Sequence, residues 1–314
     1  MVMEFLLLGF SEVRELQLVQ AALFLLAYLA ALTGNLLIVG ITALDRHLHT
    51  PMYLFLRNLP VLDLCLISVT VPKSIHDSLL NGRAVPLWGC VAQVFFVILF
   101  AFSELSLLTA MSYDRYAAIC LPLRYEVIMD RGTCGKMAAA SWLSGDLFRA
   151  MFTAGILTLS FCGSNVIQKF FCDVPSLLKI SCSETHVVIQ VSVATTFILA
   201  FISFILIIVL YVHIFRALLR MLAANGRAKA FSTCLPHLVV VTIFISTGAI
   251  AYLNLVSDFP STLDLLVSVF YTVVPHALNP LIYSLRKGDM KAALLERVLR
   301  GHTFLQNIDS LFLT

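Results

Sequence analysis

The chain has 314 residues, 60% of them hydrophobic and only 12% charged, with a formal net charge of +3 and a mean hydropathy of +0.95. Soluble domains carry about 25% charged residues, so this composition excludes an ordinary soluble enzyme or scaffold and points to lipid as the solvent. The small net charge offers no electrostatic footing for nucleic acid.

Seven apolar stretches approach the roughly 20 residues a bilayer crossing needs. In chain order they lie near Leu18–Leu44, Met52–Val71, Val91–Ala118, Met137–Leu159, Val187–Leu210, Phe231–Leu253 and Leu263–Leu285. Backbone polar groups must be paired internally in hydrocarbon, so each is read as a helix. Asp63 interrupts the second span, and Asp146 and Arg149 sit inside the fourth at a spacing that lets them pair. The expected fold is all-α: a seven-transmembrane helix bundle at 18–286, after a tail at 1–17 and before an amphipathic helix and tail at 287–314. In that last segment Met290, Ala293, Leu294 and Val298 share one face, flanked by Lys287, Lys291, Arg297 and Arg300, as in a helix lying on a membrane surface.

Fifteen of the 21 Lys and Arg residues fall in loops on one side of these spans. Arg14, Lys73, Arg83, Lys169 and Lys179 fall on the other, and Arg149 lies within the fourth span. The positive-inside rule places the C-terminus in the cytoplasm and the N-terminus outside. Phe5–Phe10 is too short, and lacks the basic residues, for a cleavable signal; the first span is expected to insert as its own signal. Cys90, Cys162, Cys172 and Cys182 all fall on the outer side, where disulfides persist. They allow three pairings, among which spacing does not choose. Cys120, Cys134 and Cys234 are inner, and Cys65 lies within a span. The long loop Ser160–His186, stapled by its cysteines, would lie as a lid over the outer mouth.

At the inner end of the third span, Met111–Cys120 reads MSYDRYAAIC. The triplet Asp114, Arg115, Tyr116 is expensive beside lipid. It suggests a switch in which Asp114 holds Arg115 at rest and releases it to meet a cytoplasmic partner. No nucleophile with a base and no His-Glu-x-x-His pattern accompanies it, so no enzyme is expected. The absence of internal repeats disfavours a transporter.

Further wordings occur in order along the chain: Gly34-Asn35, LHTPMYL at Leu48–Leu54, Asp63, FFCDVPSLLKISC at Phe170–Cys182, KAFSTCLPHL at Lys229–Leu238, and PHALNPLIYSLR at Pro275–Arg286. With the Asp-Arg-Tyr triplet they resemble the rhodopsin-like G-protein-coupled receptors and, within them, the olfactory (odorant) receptors of the class II type. The likeness runs from about Phe5 to Arg300.

That resemblance implies a plasma-membrane receptor in which Arg115 is a pivot between the third and sixth helices. Tyr211, His237 and Tyr283 are implied to rearrange at the inner ends of the fifth, sixth and seventh, and Pro280 to permit a kink beside Asn279. Partners implied are a small volatile odorant, a stimulatory olfactory-type heterotrimeric G protein that raises cyclic AMP, membrane lipid and export chaperones. The ligand would sit in the outer half of the bundle against Val97, Ile98, Ala101 and Phe102, Thr195, Thr196 and Leu199, Ala249 and Tyr252, and Thr272. No acid stands at Val97, which disfavours an amine held by a salt bridge. Asp63 and Glu104 would face each other in mid-bundle with Asn35 and Asn279, able to hold a sodium ion or share a proton.

The chain also departs from the family pattern. It has no Asn-x-Ser/Thr triplet. Pro60 and Pro236 stand where serine is usual, His276 replaces a proline, and Ile245 replaces an aromatic residue. These departures support an alternative expectation, a poorly exported or weakly signalling relic of the family.

Overall fold

The computed structural model describes residues 4–8, 13–44, 51–80, 82–161, 165–167, 169–182, 187–220, 224–253, 266, 268–270 and 272–284. The helices are α1 (Arg14–Leu44), α2 (Pro51–Leu80), α3 (Leu87–Cys120), the short α4 (Tyr125–Ile128), α5 (Arg131–Leu157), the short α6 (Val174–Ile180), α7 (Val187–Arg220), α8 (Ala224–Leu253) and α9 (Val274–Ser284). The seven that make the bundle are α1, α2, α3, α5, α7, α8 and α9. Helix α3 is the hub, packing against α2, α5, α7 and α8, while α1 lies against α2 and α9. The segment expected to form an amphipathic helix after the seventh span lies outside the described residues.

Arg14–Ala43, Tyr53–Leu80, Leu87–Cys120, Val187–Arg220 and Ala230–Ile250 are long and apolar enough to cross a membrane. Their apolar surface faces outward as well as inward: on α7, Ile198 is 60% and Ile202 53% exposed, which only a lipid solvent tolerates along a whole helix. The fourth expected span, α5, is more polar because it carries Asp146 and Arg149. These two pair within the helix, and the guanidinium also lies 4.2 Å from the Phe95 ring centroid, so the charge is answered locally. Of the seventh expected span, α9 is the continuous described part.

Several helices outrun their apolar stretches, because hydropathy marks lipid contact and not helix length. Helix α2 continues past Val71 to Leu80 through Pro72. Lys73 and Asp77 pair one turn apart there, and the Arg14 guanidinium donates to the carbonyls of Ser78 (2.8 Å) and Leu79 (2.6 Å). A cation on the last carbonyls of a helix satisfies groups that have no intrahelical donor. Helix α7 likewise runs ten residues beyond Leu210, burying Tyr211, Ile214 and Leu218 against the bundle.

The segment expected as a tail at 1–17 contains a strand. β1 (Glu4–Leu7), β2 (Ala84–Pro86) and β3 (Val166–Ile167) form a sheet in the order β2-β1-β3. β1 is antiparallel to β2, with Phe5 opposite Val85, and parallel to β3, with Leu6 opposite Val166. Phe5 and Leu7 alternate inward and are buried in a cluster with Cys90, Cys172, Ile167 and Phe152. Cys90 and Cys172 are bonded, joining the first turn of α3 to the segment before α6. Cys182 is also disulfide-bonded, while Cys162 lies outside the described residues.

Small residues let the helices approach, as is usual where lipid supplies no hydrophobic drive between them. A Cβ on Gly145 of α5 would stand 2.2 Å from Ser103 Oγ and 2.3 Å from the Leu99 carbonyl oxygen of α3. Because the second of these is backbone, Gly145→Ala must push α5 off α3. It should destabilise the protein by about 1–3 kcal/mol, read as a lower unfolding temperature of purified material. Gly135→Ala on the same helix, where a Cβ meets nothing within 4 Å, is the control. Equal stability of the two variants would contradict this packing.

Candidate functional site

A cavity of about 530 Å³ lies among α3, α7, α8 and Thr272, roofed by Phe171, Cys172, Asp173, Val174 and Pro175. The roof is held by polar contacts that its disulfide alone would not supply. Gln93 of α3 accepts from the Cys172 backbone N–H at 2.8 Å and donates to the Val69 carbonyl of α2 at 3.0 Å. Asp173 caps α6 by accepting from Ser176 N at 3.0 Å and pairs with Lys169.

Of the residues expected at a ligand site, Val97, Ile98, Ala101 and Phe102 line the α3 wall, Thr196 the α7 wall, Ala249 the α8 wall, and Thr272 completes them. Thr195 and Leu199 do not line it, and Leu199 is 40% exposed on the outward side of α7. The inward stripe of α7 runs Ile189, Ser192, Thr196, a phase that leaves Leu199 facing out. The side chain of Tyr252 lies outside the described set. Phe197, Ala200, Phe201 and Phe204 also line the cavity, as do Phe244, Ile245, Thr247 and Gly248. Sequence reasoning missed these eight and the roof residues. The wall is almost wholly apolar. Thr196 Oγ1 is buried in it with no hydrogen-bond partner among the described residues, whereas Thr272 Oγ1 already donates to the Ser268 carbonyl at 2.6 Å.

Beneath the cavity, Asp63 of α2, Glu104 of α3, and His276 and Asn279 of α9 meet in a core where none is more than 2% exposed. His276 Nδ1 lies 2.6 Å from Asp63 Oδ1 and 3.7 Å from Glu104 Oε2. Asn279 Nδ2 donates toward both Asp63 oxygens, at 3.0 and 3.1 Å, and toward Glu104 Oε1 at 3.4 Å. Glu104 Oε2 has no hydrogen-bond partner among the described residues. Asn35 stands beside this group and does not bond the carboxylates: its amide donates to the Ala31 carbonyl at 3.0 Å and the His276 carbonyl at 3.1 Å, bracing α9. At Gly34 the absence of a side chain admits Pro280, whose Cβ would be 2.9 Å from a Cβ placed there. His276, legible in the sequence only as a departure from a family pattern, thus lines the cavity and belongs to the acid cluster at once.

At the far end of α3, Arg115 Nη2 lies 3.0 Å from Asp114 Oδ2, with both side chains buried. Tyr125, from α4, donates its hydroxyl to Asp114 Oδ1 at 2.8 Å. Burial, then the neighbouring Asp114 charge, pushes the Tyr125 hydroxyl above its ordinary range, which keeps it a donor. Tyr116 faces His213 of α7 edge-on. Tyr211 of α7 and Nδ1 of His237 on α8 share a 2.7 Å hydrogen bond, with their rings stacked. The side chain of Tyr283 lies outside the described set.

A family model described as olfactory receptor matches residues 24–300. Olfactory receptor 14A16 of Homo sapiens is 53% identical over 93% of this chain and 94% of its own. Olfactory receptor 14K1 of Homo sapiens is 53% identical over 93% of each, and olfactory receptor 10A7 of Homo sapiens 42% identical over 98% of this chain and 97% of its own. The crystal structure of squid rhodopsin superposes with a TM-score of 0.71 at 18% identity, covering 91% of this chain and 82% of that one, a likeness of fold.

Asn279 is the donor that lets two carboxylates share a dry site. Removing it leaves buried acceptors unsatisfied, at about 1–3 kcal/mol or more for charged groups. Asn279→Ala should therefore lower the unfolding temperature of purified receptor measurably, and an unchanged temperature would contradict the bonding described.

Proposed function

Because the chain belongs to the olfactory receptor family, we propose that its cavity binds a small, mostly apolar volatile molecule and that occupancy activates a stimulatory heterotrimeric G protein of the olfactory type, raising cyclic AMP. The observation that carries this reading is the cavity: about 530 Å³, apolar-walled, roofed by a stapled loop, with a wall hydroxyl, Thr196, that has no hydrogen-bond partner among the described residues. Burying about 200 Å² of ligand surface stabilises the complex by about 5 kcal/mol gross. A hydrogen bond to Thr196 adds about 1 kcal/mol. That sum corresponds to weak binding and fast release, which suits a sensor of changing vapour concentrations.

In this reading the Arg115 end faces the cytoplasm, with the C-terminus, and the disulfide-bearing end faces outside, with the N-terminus. The asymmetry of Lys and Arg supports that orientation, in a plasma membrane reached with the help of export chaperones. At rest Asp114, itself held by Tyr125, retains Arg115, and the Tyr211–His237 bond ties α7 to α8. A ligand that favours a second packing of α8 and α9 shifts the population toward it, and Pro280 lets α9 adjust because its nitrogen makes no helix bond. The cluster of Asp63, Glu104 and Asn279 serves as a cation site, supported by the orphaned Glu104 Oε2; sodium is the ion the family resemblance implies. Pro60 and Pro236 lie within continuous helices, which favours a working receptor over a relic.

Two predictions use an odorant panel in cells bearing the olfactory-type G protein, with a cyclic AMP readout and surface labelling. A Cβ on Gly248 meets nothing within 4 Å, so Gly248→Leu should fill the cavity without loss of display and weaken every response at least about tenfold, while Thr196→Val weakens only ligands that carry a hydrogen-bonding group, by about fivefold. Unchanged potency in both would place the ligand elsewhere. Arg115→Ala should abolish the response with receptor still on the surface, and Tyr125→Phe should raise basal cyclic AMP several-fold by loosening Asp114. A Tyr125→Phe receptor as quiet as the parent would remove that hydroxyl from the lock.

A further inference from the structure

The acid cluster contains a donor that a hard monovalent cation does not select. Imidazole nitrogen is a ligand for zinc, copper, nickel and iron, whereas magnesium, calcium and manganese favour an all-oxygen shell. His276 places its Nδ1 between the two carboxylates, and Asp63, Glu104 and His276 each offer a ligand atom within 4.8 Å of the others. We propose that these three residues form a binding site for a divalent transition-metal ion of the zinc class. The proposal rests on reading the cluster as a cation site and changes the ion that the family resemblance implies.

Charge, geometry and the surrounding donors all favour it. Two ionised carboxylates neutralise a divalent ion. A monovalent ion balances the pair only when one carboxyl keeps its proton, in a core that is at most 2% exposed, where an unpaired charge is heavily penalised. Tetrahedral zinc with bonds of about 2.1 Å sets its ligands about 3.4 Å apart. His276 Nδ1 is 3.7 Å from Glu104 Oε2 and 2.6 Å from Asp63 Oδ1, so the Asp63–His276 edge must open by under about 1 Å, and all three atoms already lie within 4.8 Å of one another. Glu104 Oε2 is buried without a hydrogen-bond partner among the described residues, 3.7 Å from His276 Nδ1. Asn279 donates to both Asp63 oxygens and to Glu104 Oε1, orienting the carboxylates as residues outside a metal's own ligands commonly do. In the bound form the His276 lone pair on Nδ1 faces the metal and its proton resides on Nε2. An ion enters through the ligand cavity, because His276 lines its floor. Once bound it fastens α2, α3 and α9 together, which favours the resting packing.

The test uses the purified full chain in lipid nanodiscs, stripped with a chelator. Its unfolding temperature is followed against zinc chloride, magnesium chloride and sodium chloride at constant ionic strength, for the parent, His276→Asn and Glu104→Gln. Micromolar zinc should raise the temperature of the parent, and His276→Asn should weaken that effect at least about tenfold. Stoichiometric cobalt(II) should give the visible absorption of a tetrahedral N/O site in the parent, a readout that needs no variant to fold. A zinc shift equal in parent and His276→Asn, or a parent that binds cobalt with no tetrahedral band, overturns the proposal. Stabilisation by sodium with none by zinc overturns the choice of ion and leaves the cation site standing. Stabilisation by neither overturns both.

Discussion

Lipid offers no partner to a polar group, so a buried polar side chain in this bundle depends on its own helix or on a neighbouring one for its bonds. Several of the polar contacts that matter to the site lie along α3. Gln93 grips the roof backbone, Ser103 lies against the gap left by Gly145, Glu104 enters the acid cluster, and Asp114 and Arg115 pair at the far end. From Cys90 to Arg115 is 25 residues, about 37 Å of continuous helix. The roof, the cavity wall, the cluster and the lock are therefore mounted on one rod. No solvent stands ready to replace a polar partner that withdraws at any of these levels. The bundle must therefore choose between discrete packings instead of yielding gradually.

The side chain that joins two of those levels is His276. It lines the cavity from below and bonds Asp63, whose other hydrogen bonds reach Asn279. A molecule settling on the cavity floor thus touches the same residue that knits α9 to α2 and α3. The Tyr211–His237 bond makes a comparable tie between α7 and α8. Coupling between the two ends needs no long chain of residues. It needs only that α8 and α9 have a second packing that a ligand prefers.

The bundle was legible in the sequence because lipid-facing helices advertise themselves as long apolar runs, and the triplet at Asp114 because charge beside lipid is rare. Several features were not legible, for physical reasons. β1, β2 and β3 have four, three and two residues, and their pairing joins segments about 80 and about 160 residues apart, so no local pattern announces them. The choice of Cys90–Cys172 among three pairings needs the fold. Thr195 and Leu199 were expected in the cavity and fall off its wall because the rotational phase of α7 is fixed by its packing on α3 and α5. An almost uniformly apolar helix hides that phase. His276 could be read only as an unusual residue, since its partner Asp63 is 213 positions away.

In the proposed mechanism, Asp114 and Tyr125 retain Arg115 at rest while the Tyr211–His237 bond ties α8 to α7, and α3 and α8 part at the Arg115 end when the cavity fills. Spin-label distances in lipid nanodiscs between the Arg115 end of α3 and the Ala230 end of α8, with and without an activating odorant, measure this directly. Binding should shift the population toward longer distances, and the shift should vanish in a receptor whose cavity is filled at Gly248. An unchanged distance distribution at an odorant concentration that saturates the cyclic AMP response would contradict the mechanism.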